Sequence, residues 1–278
     1  MRYFNLIMFV FIFLAWNDVL AQVSGDPLSY SFDRHYGQIE VGGRFVGAEF
    51  HNSRPIPSRI SFYYPVANSI DVSTDYWKRG NSLPMAFGVR VGGSTKRWLG
   101  KESWDYTLSP QKATFSRRES NLEYFVSYEF CMNQPAMVAT LRIKNISSKK
   151  IPVEVYTHLI LDLRTCQTYA RKDSAWTEYN NAGNAIIAHY NDPQTDRASV
   201  FVENAGLSPS SWSSNASALS VTDSGTSNWI VDSTSRLSEE LLSQSNPGKP
   251  LAAFLYRKDI ASNDSLVIVQ IIGSCSKD

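Results

Sequence analysis

One stretch of this chain restricts its fold more than any other, the run from Asn121 to Leu163. Leu122, Tyr124, Val126, Tyr128 and Phe130 alternate with polar Glu123, Ser127 and Glu129. Met137, Ala139, Leu141 and Ile143 then alternate with Thr140, Arg142 and Lys144. After the polar turn Asn145–Lys150, the residues Ile151, Val153, Val155, Leu159, Leu161 and Leu163 fall on one face. Apolar residues at every second position put one face of a strand on a core and the other toward water, whereas a helix needs spacings of three and four. Three consecutive strands joined by short turns are therefore expected, and with them an antiparallel all-β domain.

The rest of the chain repeats the pattern. Alternating or apolar runs are expected as strands at 28–32, 38–41, 44–50, 60–66, 86–92, 113–119, 175–179, 185–190, 198–204, 251–256 and 266–272. The last run, Leu-Val-Ile-Val-Gln-Ile-Ile, is nearly continuous in apolar residues, so burial on both faces is expected there. Ser120-Asn121 reads as the turn of a hairpin. Trp229–Asp232 reads as a short strand, Gly206–Thr226 as an exposed loop carrying Trp212, and Arg236–Gln244 as a single weak helix. About 14 to 17 strands with almost no helix predict a large antiparallel two-sheet sandwich, since one open twisted sheet rarely exceeds about ten strands. With 278 residues, of which 43% are hydrophobic and 13% aromatic, the chain can fill such a core.

The N-terminus has a separate logic. Arg2, the apolar run Leu6–Ala15 and the small residues around Val19-Leu20-Ala21 form a secretory signal peptide, with cleavage expected after Ala21. The apolar run is too short to span a bilayer, which needs about 20 residues. The mature chain, 22–273 as one sandwich domain, is expected to be secreted or periplasmic, with no membrane association. Balanced charge, 27 basic against 26 acidic residues, excludes a strong electrostatic partner such as nucleic acid. Cys131, Cys166 and Cys275 are an odd count, and Cys131 and Cys166 both stand at strand ends where a bridge is one option. Asn145, Asn215 and Asn263 head N-x-S/T sequons.

Chemistry is sparse in the sequence. His35, His51, His158 and His189 show no metal-ligand spacing, so no metal and no cofactor is expected. There is no Gly-x-Ser-x-Gly elbow and no glycine-rich loop leading into a helix. Asp75, Glu102, Asp105, Asp173 and Glu178 are loop carboxylates, but spacing selects no catalytic pair among them, and no catalytic residue is assigned. Aromatic rings in polar surroundings are the stronger signal: Tyr76, Trp77, Trp98, Trp104, Tyr106, Tyr169, Trp176 and Tyr179. A ring face receives the C–H groups of a sugar while polar neighbours meet its hydroxyls. Trp77, Trp98, Trp104 and Trp176 are the carbohydrate-binding candidates; plugging the ends of the sandwich is the competing use of such rings.

The pieces GGRFVGAEFHNSRPIPSRISFYYPV, WDYTLSP, YFVSYEFCMNQPAMVATLRIKN and KKIPVEVYTHLILDL resemble the N-terminal β-supersandwich of six-hairpin glycosidases, the glucoamylase-like, glycogen-debranching-like and disaccharide-phosphorylase-like enzymes, with a galactose-mutarotase-like sandwich. The resemblance covers roughly Leu28 to Ile272. It implies a linker from 274 to 278, with a helix start near Ser274–Asp278, and a C-terminal (α/α)6 barrel that would hold the catalytic acids. It carries over no catalytic residue. Four functions follow as expectations: an exported accessory domain of a glycoside hydrolase or phosphorylase, a free-standing carbohydrate-binding module, a mutarotase-like enzyme using His158 or another histidine as base, and a structural surface module.

Overall fold

The computed structural model describes residues 38–276 apart from 52, 66, 71–82, 101, 103, 166–174, 191–197, 220–235, 246 and 247. The expected signal peptide, the strands at 28–32 and 229–232, Trp77 and Cys166 lie outside the described residues. The first strands are β1 (Gln38–Gly42), β2 (Val46–His51), β3 (Pro57–Phe62), β4 (Asn68–Ile70), β5 (Met85–Val91) and β6 (Arg97–Trp98). There follow β7 (Asp105–Ser109), β8 (Lys112–Glu119), β9 (Leu122–Phe130), β10 (Ala136–Asn145), β11 (Ile151–Ile160) and β12 (Leu163–Thr165). The last are β13 (Ala175–Asn180), β14 (Ala185–Tyr190), β15 (Ala198–Asn204), β16 (Ser211–Asn215), β17 (Pro250–Ile260) and β18 (Ser265–Ser276).

All pairings among them are antiparallel. They build an eight-stranded sheet ordered β13-β14-β15-β18-β10-β9-β8-β7 and two five-stranded sheets, β16-β17-β11-β5-β6 and β1-β2-β3-β4-β12. Both smaller sheets pack on the inner face of the large one, so the expected sandwich is present with its second layer divided. The β2 sheet docks through Phe50, whose ring lies 5.3 Å from Phe115 and 5.1 Å from Tyr128. Each such fully buried ring contributes roughly 1.5–3 kcal/mol through the water it sheds.

The hairpin β8–β9 pairs Glu119 with Leu122, leaving Ser120-Asn121 as its turn. Ser120 takes φ 46°, the left-handed value a tight hairpin turn requires. At the β10–β11 corner the Asn145 amide donates to the carbonyls of Lys149 (2.6 Å), Ile260 (3.0 Å) and Ala261 (3.2 Å). A sequon asparagine is thus fully buried as a corner bracket, while Asn263 stays exposed.

Between the large sheet and the β11 sheet runs a buried polar chain. The Gln270 amide of β18 donates to Thr157 Oγ1 (3.0 Å), Asn204 Oδ1 (3.1 Å) and Tyr256 Oη (3.2 Å). Tyr256 Oη in turn donates to Asn204 Oδ1. Burial pushes the Tyr256 phenol well above its ordinary range, so it stays a neutral donor.

Several expectations change. β18 is one-sided: Leu266, Ile268, Gln270 and Ile272 are buried, while Val267 is 42% exposed and Val269 and Ile271 are half-buried. Arg236–Gln244 forms no helix, because its backbone is taken by the neighbouring strands. Glu239 N donates to Trp212 O, Leu242 N to Thr177 Oγ1 and Ser214 Oγ, and Thr177 N to Leu242 O. Ser211–Asn215 is strand, not loop, and Trp212 stacks on Tyr179 at 4.2 Å and 13°. Ser274–Ser276, read as a linker start, continue β18 and pair with Ala198–Val200 of β15.

Replacing Gln270 with leucine removes the donor that joins both sheets and leaves buried oxygens without it. A loss of about 1–3 kcal/mol is expected in urea unfolding; unchanged stability would show that the chain contributes nothing to the packing of the layers.

Candidate functional site

The outer face of the large sheet at its β13 edge gathers side chains that are far apart in sequence. Register places Trp176 of β13 opposite His189 of β14, with Ser199 of β15 opposite Cys275 of β18. The Trp176 ring stacks on the His189 imidazole at 5.2 Å and 23°. His189 Nδ1 is 2.9 Å from the Ser199 hydroxyl, and its Nε2 is 3.6 Å from Glu178 Oε1. Glu178 shares the outward face with Trp176 by strand alternation, and its side chain is 58% exposed. Trp176 is half-buried, so part of its ring reaches the surface. Ser199 is buried at 2% exposure, which withholds its hydroxyl from a nucleophilic role despite the Ser–His–Glu sequence of contacts. Burial also pushes the Cys275 thiol up, with the Glu178 charge adding to it, so it is not an activated thiolate. Further along this face, burial raises the Glu203 carboxyl. The arrangement can hold a flat apolar surface beside hydrogen-bonding groups.

A second polar group lies on the β2 sheet. Glu49 and His51 are two residues apart on one strand and so face the same way, and Glu49 Oε1 is 2.5 Å from His51 Nε2. The pairing of β2 with β3 slips between Glu49 and Phe50, a bulge at Ser58. The Ser58 hydroxyl there donates to Glu49 O (3.1 Å) and lies 3.3 Å from Oε1. Bulges re-aim side chains in this way. Arg59 stands opposite Glu49, with Nε 3.8 Å from Oε2, and donates to Glu40 (3.1 Å). Glu49 is 1% exposed, a buried carboxylate held among a hydroxyl, an imidazole and a guanidinium.

Of the tryptophans named from the sequence, Trp98, Trp104 and Trp176 are not brought together. Trp98, 6% exposed, packs edge-on against His158 at 4.9 Å and 74°. Trp104, 2% exposed, packs against Tyr124 at 6.1 Å. Both rings are core residues in this structure; Trp176 is the one at the surface, and Trp77 lies outside the described residues. Of the loop carboxylates, Glu102 faces Arg97 at 3.5 Å and Asp105 opens β7. Cys131 carries a free thiol. Sequence reading missed the Glu49–His51 pair, though Glu-x-His on an alternating strand is its signature. The His189–Glu178–Ser199 contacts cross strands, and no local pattern announces them.

His158 is buried beneath a second apolar cluster that includes Trp98, Tyr156, Leu237 and Leu255. Its Nε2 lies 3.1 Å from Leu83 O, and burial lowers its pKa from 6.5 to about 4. A proton therefore binds the unfolded chain more readily than the folded one between pH 6.5 and 4. Stability contributed by neutral His158 is whole above pH 6.5 and is lost as pH falls toward 4. The expected loss is about 3 kcal/mol at most, read from urea midpoints, and His158→Phe should flatten that slope. A midpoint in the native imidazole titration near 6.5 by NMR would contradict it.

No family model matches the sequence, and no curated protein matches it. Solved structures do resemble the fold. A galactose mutarotase-like protein from Lactobacillus casei ATCC 334 is 9% identical, with a TM-score of 0.50 over 86% of this chain and 100% of its own. A polysaccharide lyase is 11% identical over 84% of this chain and 33% of its own, TM-score 0.48. A heparan sulfate lyase from Pedobacter heparinus is 11% identical over 95% of this chain and 41% of its own, TM-score 0.43. The chain thus spans about a third of the length of the first lyase and the whole length of the mutarotase-like protein. Its architecture is the galactose-mutarotase-like β-sandwich.

Proposed function

We propose that this chain is an exported carbohydrate-binding β-sandwich that serves as the accessory domain of a glycoside hydrolase or phosphorylase, with a helical (α/α)6 catalytic domain as its partner. The observation that carries the reading is the Trp176–His189 stack on the outer face of the large sheet, with Glu178 beside it. A sugar lays its C–H face on the indole while its hydroxyls donate to the Glu178 carboxylate. Stacking on His189 fixes the ring before the ligand arrives, which lowers the ordering cost of binding. The mutarotase-like fold supports the carbohydrate class, and Arg2 with the Leu6–Ala15 run supports export. Among the described residues no helix is long and apolar enough to cross a membrane.

The test is calorimetry of the purified protein against a panel of oligosaccharides, with turnover and anomer interconversion followed in the same samples. Binding without turnover is expected, and Trp176→Ala should weaken it by about tenfold or more. Binding that survives Trp176→Ala unchanged overturns the assigned face. Anomer interconversion that disappears in Glu49→Gln overturns the non-catalytic reading in favour of a mutarotase-like enzyme acting at Glu49 and His51.

A further inference from the structure

The β11 sheet carries on its outer face a charged row at the far end from His158. Register sets Arg90 of β5 and Arg257 of β17 directly opposite Glu154 of β11, one on each side. Arg90 Nη1 lies 3.4 Å from Glu154 Oε2, and Arg257 Nε lies 3.2 Å from Glu154 Oε1. Tyr156, two residues along the same face, donates its hydroxyl to Glu154 Oε2 at 2.8 Å. Lys96, 7% exposed, sits over the Tyr156 ring at 4.7 Å from its centroid. Lys258 borders the cleft, but its ammonium is held by Ser265 O at 2.8 Å and by Asp264 at 3.5 Å. Asp259 at the rim is engaged by Lys150 at 2.8 Å.

One carboxylate therefore stands between two guanidiniums, with the Lys96 ammonium over the neighbouring Tyr156 ring. Glu154 neutralises one of these charges and leaves the group positive. The row lies in a cleft of about 460 Å³ whose rim is the Gly92-Gly93 turn. Both glycines take positive φ, 55° and 80°, and a Cβ built on either meets nothing within 4 Å, so the turn leaves the mouth open. Arg90 and Arg257 are 38% and 42% exposed, reachable from solvent yet oriented by Glu154. A planar guanidinium held in this way matches the oxygens of a carboxylate or a sulfate ester.

We propose that the Arg90–Glu154–Arg257 cleft is an anion-recognising subsite that takes a carboxylate or sulfate group carried on a saccharide. The recognition of an anion stands on this row alone; the saccharide carrier rests on the carbohydrate reading of the outer face of the large sheet. The cleft and Trp176 lie on different sheets, so each can be removed without touching the other. Glu154 is the competing anion built into the protein, and it sets the affinity of the subsite.

The experiment measures binding of a uronate-containing oligosaccharide, a neutral oligosaccharide of equal length and inorganic sulfate to the full chain by calorimetry, at low and at moderate salt. The acidic saccharide is expected to bind about tenfold tighter than the neutral one, with the difference shrinking as salt rises. Arg90→Gln and Arg257→Gln should each remove most of that difference. Glu154→Gln should do the reverse and tighten acidic binding several-fold, a gain that loss of a merely structural ion pair would not produce. Trp176→Ala should remove the binding that the two saccharides share on the large sheet and leave the acid-selective binding at the cleft in place. Equal binding of acidic and neutral saccharides, or no gain in Glu154→Gln, overturns the subsite. Sulfate alone binding as tightly as the acidic saccharide overturns the saccharide carrier and leaves a simple anion site.

Discussion

The packing of this molecule depends on one buried amide. Gln270 occupies a core-facing position of β18 between Ile268 and Ile272, where alternation would place another aliphatic residue. Its donors reach Thr157 and Tyr256 on the opposing sheet and Asn204 on its own. A hydrophobic interface alone tolerates sliding, because burial has no direction. Hydrogen bonds in a dry interior do have direction, and leaving them unmade is costly. The network therefore sets how β11 and β17 lie across β15 and β18. Every outward-facing row, including both proposed binding surfaces, inherits its position from that placement.

A second constraint works at the open edge. The β13 and β16 strands end different sheets, and the segment 236–243 closes the gap between them. It does so with hydroxyls as much as with backbone. Thr177 Oγ1 and Ser214 Oγ, 2.5 Å apart, both accept from Leu242 N, and Ser211 Oγ accepts from Leu237 N. Serine and threonine can bind backbone groups in this way and replace ladder bonds. The seam holds Tyr179 and Trp212 stacked beneath it, and it steadies the edge strand that presents Trp176.

The strands from Lys112 to Ile160 were legible from the sequence nearly to the residue, because each is buried on one face and alternation reports that directly. β16 was not: Ser-Trp-Ser-Ser-Asn has no apolar alternation, since its buried positions are serines satisfied by the neighbouring segment. The same seam explains Arg236–Gln244: Leu237 and Leu241 stand at helical spacing, but Leu237 and Leu242 are the pair that is buried, in a non-helical backbone. β18 misled through its valines and isoleucines, which are apolar on both faces although only one is covered. The binding surfaces were only partly visible. Trp176 was among the candidates, but Trp98 and Trp104, also set among polar sequence neighbours, are buried. Glu178 with His189, and Arg90 with Glu154 and Arg257, meet only through strand pairing, which local sequence does not encode.

The molecule thus combines a scaffold with two faces. The eight-stranded sheet offers an aromatic ring beside a carboxylate; the β11 sheet offers two guanidiniums that flank another. The most direct measurement of the central claim is a crystal structure of the protein with a bound oligosaccharide. Density for a sugar ring is expected over Trp176, with a hydroxyl within hydrogen-bonding distance of Glu178. A sugar seated instead against Glu49 and His51, with the Trp176 face empty, would contradict the account.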